Sequence, residues 1–330
     1  MNDPYLSIQS AVDVVLTSPH PENKVAACLF NQQKSLTRTN EWPAAIFDKI
    51  GTTRIGDSSG TIHAEVNCLL HFEDRTDGTE IAITDPCCPN CAKSIAESGI
   101  KTVYIDHKGF LKDFAIRRGN EFQDMSLSIM AHAGISIYEI NRKEKKIGII
   151  YQPEQGYIPP EDNPIEIIKQ IIPATPDSFQ NLIDNVRIKH PSWGCAFATN
   201  QVGEIFSLVA SSHAAVGFSQ ERFEKEGQPS PQAIDGKKYS FYLSPLNRLL
   251  FGAAKHGLKL METYIWTSVT PTSRELVNLV GAGYKTLAIG NIDQCDTTDP
   301  QDKPSDAIST LKSAGIMTFH TLKRTYSRIS

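Results

Sequence analysis

Two short clusters of potential metal ligands in the first third of the chain constrain its fold and chemistry more than any other feature. The first cluster is His-Ala-Glu at 63–65, and the second is Cys-Cys-Pro-Asn-Cys at 87–91. One imidazole and two thiolates suit zinc better than magnesium or calcium, and a catalytic zinc needs three protein ligands with an open fourth position. His63, Cys88 and Cys91 therefore form a candidate catalytic zinc site.

Glu65 is the candidate proton shuttle of this site. It lies two residues from His63, close enough to face the open position yet poorly placed to share the metal. Its carboxylate can therefore take the proton that a zinc-activated water gives up. This is the division of labour in zinc deaminases, in which the glutamate is not a ligand.

The two clusters resemble the signature of the cytidine and deoxycytidylate deaminase superfamily, which is H-x-E followed by P-C-x-x-C about 25 to 30 residues later. His63 and Cys88 stand 25 residues apart, and Asn67 follows the H-A-E as it does in the deoxycytidylate and riboflavin-pathway branches. The resemblance implies a Zn²⁺ cofactor and hydrolytic release of ammonia from the exocyclic amine of a nucleobase. The substrate would be a cytosine nucleoside or nucleotide, or a free purine base such as guanine.

The resemblance also implies substrate-binding residues. Backbone groups near Ala64, Pro86 and Cys87 would hold the base, and Asn40, which follows the second predicted strand, would contact the sugar or the base. An alternative role for Asn40 is only to turn the chain, because asparagine is common in turns.

The second cluster departs from the family pattern at one position. The family proline normally touches the first ligand cysteine, whereas Cys87 stands between Pro86 and Cys88, so either cysteine could be the ligand. The two-residue gap to Cys91 favours Cys88, because it sets both thiolates on the first turn of one helix.

The alternative to a catalytic zinc site is a closed structural zinc site that recruits Cys87 or Cys68 as a further ligand.

Hydrophobic periodicity predicts an α/β protein in the first half of the chain. The order of strands and helices is that of a three-layer α-β-α cytidine-deaminase-like fold with a mixed five-stranded sheet. The predicted elements are helix 5–17, strands 25–30 and 35–38, helix 62–73, strand 80–84, helix 88–98, strand 102–106, helix 121–133 and strand 134–138.

The second half of the chain resembles the first, which predicts a tandem duplication. The sequence Gly-Ile-Lys-Thr-Val-Tyr-Ile at 99–105 matches Gly-Tyr-Lys-Thr-Leu-Ala-Ile at 283–289. In this alignment Thr272 and Glu275 stand where Cys88 and Cys91 stand in the first half, and residues 243–249 contain no H-x-E. The alternative is a common α/β pattern with a Gly-capped helix.

The predicted domains are therefore a catalytic zinc deaminase domain at 1–151, a linker at 152–176 and a degenerate deaminase-like domain without zinc ligands at 177–330. A proline-rich composition marks the linker, in which we expect a helical insert at 164–171. The second domain would pack against the first as an intramolecular pseudo-dimer, with a homo-oligomer as a further option.

Composition limits the remaining function classes. The net charge of −4 argues against a general polyanion-binding surface, although a base in tRNA or in single-stranded DNA or RNA remains an alternative substrate. The sequence shows neither a signal peptide nor a membrane span, and its odd count of seven cysteines fits a reducing cytoplasm. The alternative outside enzymes is a nucleotide-sensing module, which an intact Glu65 disfavours because a sensor needs no proton shuttle.

Overall fold

The computed structural model describes residues 3–117, 122–186, 192–219, 240–295 and 304–324. The chain forms two compact units that alternate along the sequence. The first unit comprises Met1–Trp42, Thr61–Asp162 and Ala214–Tyr242, and the second comprises Pro43–Gly60, Asn163–His213 and Leu243–Ser330. The division of the chain into folding domains at 151 and 177 stays a prediction.

The helices and strands are numbered in chain order. The helices are α1 (Pro4–Val14), α2 (Ala44–Ile50), α3 (Ala64–His71), α4 (Pro89–Glu97), α5 (His107–Phe110), α6 (Asp113–Arg117), α7 (Leu127–His132), α8 (Pro176–Asn185), α9 (Pro245–Lys255), α10 (Ser273–Gly281) and α11 (Pro304–Ser313). The strands are β1 (Ala26–Phe30), β2 (Ser35–Thr39), β3 (Glu80–Ile83), β4 (Thr102–Asp106), β5 (Ser136–Asn141), β6 (Lys146–Tyr151), β7 (Glu166–Lys169), β8 (Trp193–Thr199), β9 (Ile205–Ser211), β10 (His213–Ala214), β11 (Tyr242–Leu243), β12 (Lys259–Thr270), β13 (Thr286–Cys295) and β14 (Thr318–Thr321).

The sheet of the first unit has the order β2-β1-β3-β4-β5-β6. Strands β3, β4 and β5 run parallel, and the other neighbouring pairs are antiparallel. The mixed α/β architecture is confirmed, but the sheet has six strands where the sequence predicts five. The sixth strand is β6, which follows Lys145 with its φ of 51° and pairs antiparallel with β5.

Helices cover both faces of this sheet, which explains why all five residues of β1 are buried. Ala26, Cys28 and Phe30 share a core cluster with residues of α1. The alternate residues face α3, whose Cys68 thiol donates to the Ala27 carbonyl oxygen at 3.3 Å. The zinc-site helix α3 is thus fixed to the sheet by packing along its length.

The sheet of the second unit has the order β14-β13-β12-β8-β9-β7. Its strands β8, β9, β12, β13 and β14 pair in the same order and directions as β1 to β5 of the first unit. Helix α8 contributes Phe179 and Ile183 to a core cluster with residues of β8, as α1 does with residues of β1. The sixth strand of each sheet lies at a different edge.

The predicted helical insert at 164–171 is wrong. Residues 166–169 form strand β7, which pairs antiparallel with β9 at the edge of the second sheet. The β-branched Ile167 and Ile168 favour an extended backbone, and β9 supplies the hydrogen-bond partners that a strand needs. The expected linker therefore contributes a strand to the second unit.

The other predicted elements are present with shifted ends. The helix expected at 121–133 begins, within the described residues, as a π-helical turn at Phe122–Ser126 and continues as α7. Position 121 lies outside the described residues. The sequence also predicts a helix at 178–189, which is observed as α8, and positions 187–189 lie outside the described residues. None of the helices in the described ranges is long and apolar enough to cross a membrane.

Candidate zinc site

Three side chains from two helices form a compact group of potential metal ligands in the first unit. His63 Nδ1 lies 3.1 Å from Cys91 Sγ and 3.6 Å from Cys88 Sγ. The two sulfur atoms are 3.7 Å apart, and all three ligand atoms lie within 4.8 Å of one another. The structure thus brings together the three residues predicted as ligands.

The dimensions of this group fit zinc. A tetrahedral ion with Zn–S bonds of about 2.3 Å and Zn–N bonds of about 2.0–2.1 Å separates its ligand atoms by roughly 3.5–3.8 Å. The Cys88–Cys91 and Cys88–His63 distances fall in this range, and the His63–Cys91 distance is slightly shorter. One imidazole and two thiolates also match the ligand types that zinc prefers.

The ligands meet because two helices begin at the same edge of the sheet. His63 is the N-cap of α3, Cys88 is the N-cap of α4, and Cys91 lies in the first turn of α4. Strand β3 ends just before Cys88, so the thiolates stand at the carboxyl end of a parallel strand, where α/β proteins place their sites. Both helix N-termini favour negatively charged ligands such as thiolates.

The two cysteines are electrostatically unequal in the absence of metal. The hydrogen bond with Cys91 and the neighbouring His63 hold the pKa of Cys88 well below its ordinary value despite burial. The interaction with Cys88 and burial raise the pKa of Cys91. The pKa values of the two thiols are thus shifted in opposite directions, and the lower pKa favours the thiolate form of Cys88.

Glu65 lies beside the ligand group and is only 3% exposed. Burial raises the pKa of its carboxyl group, whereas the neighbouring His63 lowers it. A raised pKa makes a carboxyl group better able to hold a proton and return it, which is what a general acid and base must do.

Cys87 lies outside the ligand group. Its sulfur lies 3.9 Å from Met130 Sδ of helix α7, and the side chain is buried. The group that could hold a metal ion contains Cys88 and not Cys87, which supports the prediction that Cys88 is the ligand. Cys68 also lies elsewhere, because its thiol donates to carbonyl oxygens of the neighbouring hairpin.

The predicted substrate-binding residues lie close to the ligands in sequence, but their role stays a prediction. Ala64 is buried in the first turn of α3, and Pro86 is half-buried before Cys87. Asn40 is buried and its side chain serves the fold: Oδ1 accepts hydrogen bonds from Val25 N and Ser18 Oγ, each at 2.8 Å. Asn40 Nδ2 donates to a backbone carbonyl at 2.8 Å.

Asp85 and Lys112 support the segment that leads into the cysteines, and the sequence analysis missed them. Lys112 Nζ lies 2.7 Å from Asp85 Oδ2, which also accepts a hydrogen bond from Thr84 Oγ at 2.6 Å. Burial raises the pKa of Asp85, and the Lys112 charge opposes this shift. An acidic residue at the end of an apolar strand is the signal that could have identified this pair.

His20 is a second residue near the site that sequence reasoning missed. Its ring stacks on Trp42 at a centroid distance of 5.6 Å, and its Nδ1 accepts hydrogen bonds from the backbone of Glu22 and Asn23. Its proton is therefore on Nε2 when the ring is neutral. Burial lowers the pKa of His20, and the charge of His63 lowers it further. The flanking Pro19 and Pro21 were a signal of a rigid loop.

The second unit has a different arrangement at the corresponding helix ends. Ser244 is the N-cap of α9 and Thr272 is the N-cap of α10, matching His63 and Cys88 in the first unit. Glu275 matches Cys91, and its carboxylate accepts hydrogen bonds from the backbone of Leu246 at 3.0 Å and of Thr272 at 2.9 Å. A carboxylate thus joins two helix N-termini here, and these three residues supply neither imidazole nor thiolate.

Helix ends that carry one histidine, two cysteines and a buried glutamate define a zinc-binding α/β protein, and comparison with known proteins agrees. The family model described as the cytidine and deoxycytidylate deaminase zinc-binding region matches residues 2–107 of the sequence. An uncharacterized deaminase in the luxG 3′ region of Aliivibrio fischeri is 30% identical over 122 residues, which are 36% of this chain and 81% of that protein. The chain belongs to the cytidine and deoxycytidylate deaminase family through this region.

Other similarities are shorter or more distant. ComE operon protein 2 of Bacillus subtilis (strain 168) is 53% identical over 47 residues, 13% of this chain and 25% of that protein. The dCMP deaminase of cyanophage S-TIM5 aligns with 42% of this chain and 100% of its own, at 21% identity and a TM-score of 0.33. RibD of Acinetobacter baumannii aligns over 41% of this chain and 34% of its own, at 15% identity and a TM-score of 0.28.

Proposed function

We propose that the protein is a zinc-dependent hydrolase that removes the exocyclic amine of a cytosine-type nucleoside or nucleotide. The observation that carries the proposal is the buried Glu65 beside the group formed by His63, Cys88 and Cys91. Three ligands leave one position of a tetrahedral ion open for water, and an additional non-ligating carboxylate has a use only if protons are transferred.

The residues of the site have separate roles in this reaction. His63, Cys88 and Cys91 hold zinc, which when bound lowers the pKa of a coordinated water to about 7. Glu65 takes a proton from the attacking water and delivers it to the ring nitrogen of the base. It then takes the second proton of that water, from the hydroxyl group now attached to the ring carbon, and passes it to the exocyclic amine, so that the C–N bond breaks, a carbonyl oxygen replaces the amine and ammonia leaves.

The remaining substrate-binding roles are part of the proposal. Ala64, Pro86 and Cys87 would hold the base through backbone groups, and Asn40 would act indirectly or through its backbone, because its side chain is already bonded within the loop. The net charge of −4 supports a free nucleoside or nucleotide over a polynucleotide. We further propose that the second unit is a degenerate deaminase-like repeat, which the shared order of five strands supports.

An ammonia-release screen tests the reaction and the substrate class together. The zinc-loaded full chain is incubated with cytosine nucleosides, cytosine nucleotides, purine bases and short single-stranded oligonucleotides. We expect release only from free cytosine compounds. Release only from purine bases or oligonucleotides would contradict the substrate class, and no release from any compound would favour a sensing module.

Glu65→Gln is the matched control because it keeps the size of the side chain and removes its ability to accept a proton. We expect a loss of roughly 10²–10⁴-fold in kcat, the contribution of a general acid and base, with zinc content unchanged. Loss of zinc from this variant would identify Glu65 as a ligand and contradict the proposed mechanism.

A further inference from the structure

Two short segments from the second half of the sequence belong to the first compact unit. These segments, residues 214–219 and 240–242, are here called the brace. They hold each other: Ala215 N donates to the Phe241 carbonyl oxygen at 2.9 Å, and the rings of Phe218 and Phe241 lie 4.6 Å apart. The brace is therefore an ordered part of the unit that carries the candidate zinc site.

The first contact of the brace is with the C-terminal end of helix α7. The Phe218 ring stacks on His132 at a centroid distance of 4.5 Å and an interplanar angle of 22°. Gly217 lies so close to the His132 carbonyl group that an added Cβ would overlap it. Gly217 N also donates to the Pro160 carbonyl oxygen at 3.0 Å. Only glycine fits this position, where φ is 95°.

The second contact of the brace is with helix α4. The Lys93 side chain is 2% exposed, and its Nζ donates to the carbonyl oxygens of Ser240 at 2.8 Å and Tyr242 at 2.9 Å. A buried ammonium is costly without hydrogen-bond acceptors, and these two carbonyl groups supply them.

Helix α4 carries two of the three candidate zinc ligands, and helix α7 packs against α4. Helix α4 carries Cys88 at its N-cap and Cys91 in its first turn, and Met130 of α7 packs against Cys87. We propose that the brace holds α4 and α7 in the positions that the reaction requires, with Lys93, Gly217 and Phe218 as positioning residues. A misplacement of about 1 Å by a change far from the chemistry can cost 10²-fold in rate.

Gly217→Ala tests the brace without changing α4, α7 or any ligand. Gly203→Ala is the matched control, because Gly203 has a similar φ of 82° but an added Cβ would meet nothing within 4 Å. Both variants strain the backbone, and only Gly217→Ala displaces the brace. We expect Gly217→Ala to lower kcat tenfold or more with a smaller change in KM, and to release zinc to a chelator faster than Gly203→Ala does.

The kinetic part of this test rests on the proposed deamination, whereas zinc release does not. If the wild type deaminates nothing, the chelator assay still separates the two glycine variants, so the two proposals fail independently. Equal zinc release and equal activity in Gly217→Ala and Gly203→Ala would overturn the role of the brace.

Lys93→Met gives an independent measurement from the helix side, with the exposed Lys101→Met as control. We expect the double variant Lys93→Met/Gly217→Ala to increase the rate of zinc release by less than the product of the two single-variant factors. The reason is that both changes detach the same segment, the brace. Fully multiplicative effects would contradict a shared role. Where Lys93→Met does not fold, Phe218→Ala replaces it in the same cycle.

Discussion

The two units of this protein place different chemistry on corresponding pairs of helix ends. In the first unit, the N-termini of α3 and α4 present one imidazole and two thiol groups that fit zinc. In the second unit, the N-termini of α9 and α10 are joined by the Glu275 carboxylate, which accepts hydrogen bonds from both helices. Converging helix N-termini attract negative charge in either case. The three residues at these positions determine the outcome. Thiolates there can bind a cation, whereas a carboxylate there accepts hydrogen bonds from backbone N–H groups.

The difference extends to the supporting residues. Leu246 stands at the position of Glu65, so the second unit has no carboxylate at the position of the proposed proton shuttle. The buried Val277 stands at the position of Lys93, so α10 has no ammonium group at this position to donate hydrogen bonds. At these helix ends the second unit has hydrogen bonds within the fold, and the first unit has a group of residues that can bind zinc.

The largest expected effect is the removal of a zinc ligand. Cys88→Ser should abolish zinc binding and lower activity by more than the roughly 10²–10⁴-fold of a lost general base, because the acidified water is lost as well. Ser244→Ala, the matched change in the second unit, should leave one zinc per chain. Elemental analysis and ammonia release measure both variants. Two zinc ions per wild-type chain would contradict the expectation that only the first unit binds zinc.

A transplant of the ligands tests whether the two helix pairs are geometrically equivalent. The triple variant Ser244→His, Thr272→Cys and Glu275→Cys should bind a second zinc, because the three positions match His63, Cys88 and Cys91 on their helices. It should gain no second activity, since Leu246 cannot transfer protons. A folded triple variant that still binds one zinc would show that the helix ends differ in spacing.

Glu275→Gln should destabilise the second unit without affecting zinc. The amide keeps one acceptor oxygen but turns a donor toward backbone N–H groups, so a buried charge-assisted contact is lost at a cost of about 2–3 kcal/mol. Thermal unfolding measures this loss, and the exposed Glu166→Gln serves as control with a change within about 0.5 kcal/mol. A Glu275→Gln variant as stable as this control would show that the carboxylate is not a structural link.

The sequence predicts the zinc site well because its information is local. The spacing between His63 and Glu65, and between Cys88 and Cys91, lies within single helix turns. One strand, β3, precedes both cysteines and ends in the apolar run Ile-Ala-Ile. Glu275 was aligned with Cys91 from sequence alone, but its hydrogen bonds to the first turn of another helix were not predictable. That contact joins residues 29 positions apart and depends on how two helices meet.

The parts that the sequence did not predict depend on long-range pairing. The sequence predicts a helix where strand β7 lies. The extended conformation of β7 depends on pairing with β9, which is distant in sequence and cannot be recognised from the proline-rich segment itself. Residues 214–219 and 240–242 cluster with the first unit although they stand between strands and helices of the second. Lys93 carries a weak signal, since a lysine between Ala92 and Ser94 on an otherwise buried helix needs an acceptor, but the acceptors lie 147 and 149 residues away in the sequence.

The smallest expected effect concerns Cys87, where the second unit has Pro271. Cys87→Ala should keep one zinc per chain and activity close to that of the wild type, because its sulfur contacts Met130 and not the ligand group. The lost packing should cost about 1 kcal/mol, the usual penalty of a methyl-sized cavity. Elemental analysis and thermal unfolding measure the two quantities, with Cys88→Ala as the contrasting variant that loses zinc. Loss of zinc from Cys87→Ala would make Cys87 a ligand and would shift the first turn of α4 relative to its counterpart in α10.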